Sequence, residues 1–338
     1  MKKRILAAVL SIVLSCTVLC TPAWAYGPLA DVAYNEYALG MHEEPEGSDC
    51  ILYNEWYYGS RVSNTYDHGS YIQQYNWNAT FACWCAEQLN YLMFARFPRS
   101  NNAQEMYQWF VDRDYKFYTP SNVVGLSGDV RIEPGDVIFY FAGSGNREIG
   151  IITQADASSV SFLAGDKDGT IQLTHWTYNT IDASTVFVKI IPMETGNLSE
   201  IALFLRQDMQ LNPAAVCGIL TNIVYESGGS SVCYGDSATS FGICQWHNER
   251  FTALIDYCDQ IGADWGSLYG QLQFLRYELE NQYKGLLDMI NSSPNTPEGA
   301  YEAAYLFCVD FERPDDVEKK ADIRGVDAQQ IYYPIWFG

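Results

Sequence analysis

Glu226 is the carboxylic acid that the sequence places best for proton-transfer chemistry. It follows an apolar stripe at helical spacing, from Val216 to Ile223, and it precedes the helix-breaking Ser227-Gly228-Gly229. A carboxyl group at the C-terminal end of a core helix is partly desolvated and lies near the negative end of the helix dipole. Both effects favour the protonated form that a general acid needs when it donates to a departing sugar oxygen. A solvated glutamate in a C-terminal turn is the alternative.

Asp236 is the candidate for a second catalytic carboxylate. It lies on the loop after this helix, where it would face Glu226 across a cleft. The alternative is an ordinary residue of a Gly-Asp turn, in which case the acetamido group of a sugar substrate would assist instead. We expect Glu249, Glu312 and Asp315 to be solvated or ion-paired.

The stretch YNWNATFACWCAEQL at residues 75–89 begins a probable helix that carries Cys83 and Cys85. Both cysteines lie one to two turns inside the helix, where its dipole does not activate a thiol. We interpret them as small buried hydrophobic residues. The alternative is that one of them is a catalytic nucleophile at an unusual place in the helix. His68 and His175 are expected to be solvated. No cysteine spacing is typical of a zinc site, and several buried free thiols are expected.

Two regions with different periodicity must position these residues. Short runs rich in Val, Ile and Phe, separated by Gly-Asp or Ser turns, predict strands from about Pro134 to Met193. Helical spacing precedes them at Phe81–Phe94, and almost everything after Ser199 has the helical pattern, with Asn212 and Pro213 as a helix start. The sequence therefore predicts an α+β part followed by a mainly α part, with a boundary near residue 195.

The N-terminus and the charge of the chain indicate an exported protein. Lys2, Lys3 and Arg4 precede a short apolar run, and Ala23-Trp24-Ala25 is typical of a signal-peptide cleavage site. Removing those three cations changes the formal charge from −21 to −24. Such a charge argues against nucleic acid or anionic lipid as a partner. The apolar run is shorter than the roughly 20 residues of a stable membrane span.

Four segments of the first half occur in an order that resembles CHAP domains, which are papain-like amidases and endopeptidases of peptidoglycan. They are Tyr53–Gly59, Trp77–Ala86, Pro134–Phe139 and Ile149–Ile152. The resemblance implies a cysteine at the helix start, a histidine base before the Ile-Gly strand and a polar orienting residue on the next strand. This chain has Asn78, Glu148 and Ala164 or Asp166 at those positions. The domain is therefore expected to be inactive, because an asparagine amide is not a thiol-type nucleophile.

The second half is similar to the phage tail lysozyme family. The segments that carry the resemblance are Glu226–Gly228, Ser240–Trp246, Gly270–Leu272 with Leu275, and Phe311–Pro314. The resemblance implies that Glu226 is the proton donor. It also implies that Gln245 holds the N-acetyl or hydroxyl groups of the sugar, and that Ser240 and Trp246 bind substrate beside it along the strand that lines the cleft, although Trp246 has a core aromatic role as its alternative.

These observations predict a signal peptide at residues 1–25, an inactive CHAP-like domain at 26–194 and a lysozyme-like domain at 195–338. The expected protein is a secreted or wall-associated hydrolase that cleaves the glycan strand of peptidoglycan. Its first domain is expected to bind the wall or to position the enzyme on it. No cofactor, metal or nucleic acid is predicted, and no stable membrane span is expected after signal removal. The alternatives are a bifunctional hydrolase with a displaced cysteine nucleophile and a non-enzymatic wall-binding or assembly protein.

Overall fold

The computed structural model describes residues 28–62, 75–143, 145–235 and 239–338. The predicted signal peptide, His68 and Asp236 lie outside these residues. The described chain first forms helices and an antiparallel sheet, and then a mainly helical part. This combination of helices and antiparallel sheet confirms the predicted α+β class.

The first part contains helices that precede a sheet. The helices are α1 (Pro28–Ala38), α2 (Leu52–Tyr58), α3 (Asn78–Glu87) and α4 (Ala103–Asp112). The strands are β1 (Phe117–Tyr118), β2 (Val137–Phe141), β3 (Arg147–Ala155), β4 (Ser159–Lys167), β5 (Thr170–Thr177) and β6 (Val186–Val188).

These strands form an antiparallel sheet in the order β1-β6-β2-β3-β4-β5. Alternate side chains of a strand point to opposite faces, and β2 shows the result. Val137 and Phe139 belong to the core shared with the helices, whereas Ile138 and Tyr140 belong to a second core on the other face. Both faces are therefore covered, which explains the apolar runs in the sequence.

The second part is built mainly from helices, several of which end in a π-helical turn. The helices are α5 (Thr195–Leu203), α6 (Pro213–Ser227), α7 (Glu249–Ile261), α8 (Leu268–Tyr277), α9 (Lys284–Ser292), α10 (Pro297–Phe307), α11 (Val317–Asp327) and α12 (Tyr333–Phe337). A small antiparallel sheet consists of β7 (Tyr234–Gly235), β8 (Ser240–Phe241) and β9 (Trp246–His247).

Helix α6 is the central element of this second part. Asn212 caps it, since its Oδ1 accepts a hydrogen bond from Ala215 N at 2.9 Å, and Pro213 occupies the first turn. Gly218 allows α6 and α10 to approach closely, because a Cβ there would lie 2.6 Å from Ala304 N. Most of α6 is buried, so its C-terminal end is held rigidly against the surrounding helices.

Side chains connect the two parts directly. Phe94 belongs to the hydrophobic core of the second part, and its carbonyl oxygen accepts a hydrogen bond from Tyr332 Oη at 2.7 Å. Arg113 Nη2 lies 3.2 Å from Asp327 Oδ1, and Tyr225 Oη donates to the other oxygen of Asp327 at 2.5 Å. A contact between the parts therefore reaches Tyr225, one residue before Glu226.

All eight cysteines of the described residues are free thiols, as expected for several of them, and only Cys233 among these eight is not buried. Within the same residues, none of the helices combines the length and the apolar character needed to cross a membrane.

Candidate active site

The C-terminal end of α6 places Glu226 beside a turn that is fixed from two sides. Gly228 adopts the left-handed conformation with φ of 64°, and a Cβ there would lie 1.9 Å from Pro192 O, so only glycine fits. Ser227 Oγ donates to Ile243 O at 2.9 Å, which attaches the helix end to the segment between β8 and β9. The structure thus explains why a serine and a glycine follow Glu226 in the Glu-Ser-Gly motif.

An arginine holds the carboxylate of Glu226. Arg324 Nη2 lies 2.7 Å from Glu226 Oε1, and 19% of the glutamate side chain is exposed. Arg324 is itself buried, and its Nη1 donates to Asn222 Oδ1 at 2.9 Å. Asn222 in turn donates to Ala304 O at 3.0 Å. This chain of hydrogen bonds fixes Glu226 on the side that faces α10 and α11.

Glu312 is a further functional candidate, and its surroundings differ from those predicted from the sequence. It ends the π-helical turn Cys308–Glu312, and its Oε1 is buried with no hydrogen-bond partner among the described residues. No ion pair of the described residues includes it, so the prediction that it is solvated or ion-paired is wrong. Burial, followed by the negative charge of Glu226, raises the pKa of Glu312 well above its usual value. The neighbouring Arg250 and Arg324 oppose this shift.

The charges around Glu312 favour its protonated form. Glu278 is buried and receives hydrogen bonds from Arg250 Nε and Nη2, each at 2.9 Å. The cluster therefore contains three carboxyl groups, from Glu226, Glu278 and Glu312, but only the two guanidinium groups of Arg250 and Arg324. One bound proton makes it neutral, and the group with the least hydrogen bonding to cations takes that proton. Burial and charge thus favour a protonated Glu312 beside Glu226, and a carboxyl group that keeps its proton is what the acid step of glycoside cleavage requires.

The residues predicted to bind sugar have structural contacts in the small sheet. Gln245 Nε2 donates to Cys233 O and Gly242 O, each at 3.0 Å, and buried Ser240 contacts His247 Nδ1 at 2.9 Å. Trp246 is fully buried, and its Nε1 donates to Glu278 Oε2 at 2.7 Å. The structure therefore places Trp246 in the core, where it cannot stack on a sugar.

The positions implied by the CHAP resemblance lie together in the first part. Asn78 begins α3, and its side chain donates to Ile149 O at 2.9 Å and Gly165 O at 3.1 Å while it accepts from Ile149 N at 2.8 Å. Glu148, beside Ile149, is ion-paired with Lys167. Asp166, beside Gly165, accepts a hydrogen bond from Trp77 N at 3.1 Å.

These contacts give Asn78 a structural role. Its amide joins the start of α3 to both β3 and β4, and only 2% of the residue is exposed. Glu148 has a lysine partner instead of a catalytic one. The geometry therefore assigns hydrogen bonding and charge pairing to the positions where the resemblance implies a nucleophile and a base.

Cys83 and Cys85 are poorly suited to replace the missing nucleophile. Both are fully buried in α3, and Cys83 Sγ donates to Pro98 O at 3.3 Å and Ser100 O at 3.2 Å. Burial raises the pKa of Cys83 to about 12 and that of Cys85 well above its usual value, so neither thiol ionises near neutral pH.

We expect Asn78→Asp to destabilise the full chain by at least about 1–3 kcal/mol, because the change removes a buried donor and turns a carboxylate towards two carbonyl oxygens. Urea unfolding measures this loss. Asn76→Asp is the matched control, since Asn76 is exposed and a carboxylate there still accepts a hydrogen bond from Asn78 N. Equal stability of the two variants would contradict the structural role of Asn78.

The comparison with known families bears on the second part of the chain. Residues 196–334 match the family model described as phage tail lysozyme. The C-terminal part is therefore lysozyme-like, which suggests a hydrolase that acts on peptidoglycan. No curated protein matches the chain. The CHAP-like nature of the N-terminal part stays a prediction.

Proposed function

We propose that this protein is a secreted muramidase that cleaves the glycan strand of peptidoglycan with its C-terminal part. The observation that carries the proposal is the carboxyl group of Glu226 at the end of α6, which is ion-paired with Arg324 at 2.7 Å and lies close enough to Glu312 for its charge to raise the pKa of that residue. The phage tail lysozyme match over residues 196–334 supports peptidoglycan as the substrate.

In the proposed reaction, Glu226 is the general acid and delivers the proton that it shares with Glu312. Glu226 is the choice because it is ion-paired at the exposed end of the cluster, whereas the Oε1 atom of Glu312 is buried. The proton moves to the glycosidic oxygen as the bond between that oxygen and the anomeric carbon breaks. Water then adds its oxygen to the anomeric carbon and returns a proton to the carboxylate. The acetamido group of the sugar, or Asp236 from outside the described residues, would stabilise the positive charge at that carbon.

We assign to the first part, residues 26–194, a role in binding the wall or in positioning the enzyme on it. Asn78 supplies no nucleophile and Glu148 is paired with Lys167, so the cleft of a CHAP-like domain would receive a stem peptide without cutting it. Contacts between the two parts, such as the ion pair of Arg113 with Asp327, would then hold the helix that carries Glu226 in place relative to the bound wall.

The test is digestion of purified peptidoglycan by the full chain, with reducing ends and free amines measured in parallel. Glycan cleavage predicts new reducing ends without new amines, and a thiol-alkylating reagent should leave the rate unchanged. Amine release that disappears on Cys83→Ala or Cys85→Ala would instead support a displaced cysteine nucleophile. The absence of both products would support a wall-binding protein without enzyme activity.

The pH dependence of the reaction tests the role of Glu312. Because its pKa is raised, its proton stays bound as the pH rises from acidic values, and activity is lost as the pH passes through the apparent pKa of the pair. In Glu312→Gln the amide holds no such proton, so the loss should occur at lower pH than in the wild type. The measurement is the pH profile of kcat/KM.

Glu249→Gln serves as the control, since Glu249 is an exposed acid at the start of α7. It should leave the profile unchanged. If kcat/KM declined over the same alkaline pH range in Glu312→Gln and in the wild type, the result would contradict a proton shared between Glu226 and Glu312.

A further inference from the structure

Three carboxyl groups converge in the first part of the chain, beside the start of α3. One carboxylate oxygen from each of Glu43, Asp49 and Asp166 lies within 4.8 Å of the other two. Glu43 and Asp49 belong to the loop between α1 and α2, whereas Asp166 comes from the end of β4. The fold therefore brings Asp166 beside two acids of a single loop that comes much earlier in the chain.

Glu43 supplies an independent sign that a ligand is needed. The residue is 4% exposed, and its Oε1 accepts a hydrogen bond from Trp77 Nε1 at 2.8 Å. Its Oε2 is buried with no hydrogen-bond partner among the described residues. An unsatisfied buried carboxylate oxygen is unfavourable, because the water that solvated it has been removed and not replaced. Neither Glu43 nor Asp166 has an ion pair within the described part of the chain.

Mutual repulsion of the three acids is a second reason to expect a ligand. Ionised carboxylate groups whose oxygens all lie within 4.8 Å of one another repel, and protons or a bound cation must neutralise them.

We propose that Glu43, Asp49 and Asp166 bind a divalent cation, and that this cation is Ca²⁺. Carboxylate oxygens are the ligands that hard cations prefer, and Ca²⁺ binds them at about 2.3–2.6 Å in variable geometry. Two oxygens on opposite sides of such an ion lie about 4.6–5.2 Å apart, so three oxygens that all lie within 4.8 Å of one another can share one ion. Mg²⁺, at about 2.0–2.1 Å, requires a tighter octahedral arrangement and usually takes only one or two protein carboxylates.

Such an ion would join three elements around the start of α3. It would link the loop before α2 to the end of β4, and the hydrogen bonds from Trp77 to Glu43 and Asp166 already place that residue between them. Asn78 follows Trp77, so the cation would stabilise the cleft in which the CHAP resemblance places its active site. The inference concerns stability and metal binding, and it holds whether or not the chain cleaves glycan.

The experiment measures Ca²⁺ binding to the full chain by calorimetry and thermal unfolding in the presence of chelator, Ca²⁺ or Mg²⁺. Ca²⁺ should raise the unfolding temperature of the wild type, because a ligand that binds only the folded state stabilises it. Glu43→Gln and Asp166→Asn should abolish the rise. Asp288→Asn, which changes an exposed acid on α9, should retain it.

The chelated samples show whether the two variants are folded. Each removes one of the crowded negative charges, so in chelator each should unfold at or above the wild-type temperature. Tb³⁺ offers a second readout, since the indole of Trp77 adjoins the site and should sensitise its luminescence until Ca²⁺ displaces it. No calorimetric binding, or an equal Ca²⁺ effect in wild type and both variants, would show that the cluster only shares protons and would overturn the proposal.

Discussion

Glu226→Gln is expected to fold normally and to lose nearly all production of reducing ends from peptidoglycan. General acid catalysis contributes about 10²–10⁴-fold to a rate, and glutamine has no proton of suitable acidity to donate. The amide oxygen still accepts a hydrogen bond from Arg324, which lies 2.7 Å from the carboxylate, so the end of α6 keeps its position. Initial rates with purified peptidoglycan and the unfolding temperature measure the two effects separately.

Glu249→Gln is the control for the loss of a negative charge in the second part of the chain. It should keep the wild-type rate, because Glu249 is exposed. Wall sedimentation should be similar for the wild type and Glu226→Gln, since the substitution changes a proton donor and leaves the first part untouched. Full activity of Glu226→Gln would remove the muramidase proposal and favour a wall-binding protein.

Asp327→Ala is expected to have the largest effect on stability, about 3–5 kcal/mol, because it leaves a buried ion pair without its acid. Arg113 and the hydroxyl group of Tyr225 both lose their acceptor. Since Tyr225 precedes Glu226 and its ring lies beneath Arg324, we also expect a lower kcat in the fraction that remains folded. Chemical denaturation measures the free energy of unfolding.

Asp322→Ala is the matched control for this substitution. Asp322 lies on the same helix α11 and also accepts a hydrogen bond from a tyrosine, Tyr301, but it is exposed. Its loss should change stability by about 0.5 kcal/mol or less, as is usual for surface positions. Equal losses for the two variants would contradict the view that contact through Asp327 couples the two parts of the chain.

Local signals in the sequence account for much of the fold. The Asn212-Pro213 pair and the apolar stripe predicted a helix that ends at the Ser-Gly-Gly segment, and α6 runs from Pro213 to Ser227. The apolar runs after Pro134 predicted strands, and β2, β3, β4 and β6 form from them. Caps, breakers and periodicity act over a few residues, so they remain readable without knowledge of the tertiary structure.

The surroundings of the functional side chains depend on contacts that no local pattern contains. Glu312 was expected to be solvated or ion-paired, yet burial and the charge of Glu226 on α6 raise its pKa, while Arg250 on α7 and Arg324 on α11 oppose the shift. Arg324 lies 98 positions after the glutamate that it holds (324 minus 226). The approach of Glu43 to Asp166 likewise results from the packing of a loop against a sheet.

The most direct test of glycan cleavage by Glu226 is mass spectrometry of the fragments released from purified peptidoglycan by the full-length wild type and by Glu226→Gln. Our account predicts that the wild type releases fragments with cleaved glycan strands and intact stem peptides, and that the variant releases almost none. Fragments with cleaved stem peptides and intact glycan strands, or the same glycan fragments from both proteins, would contradict it.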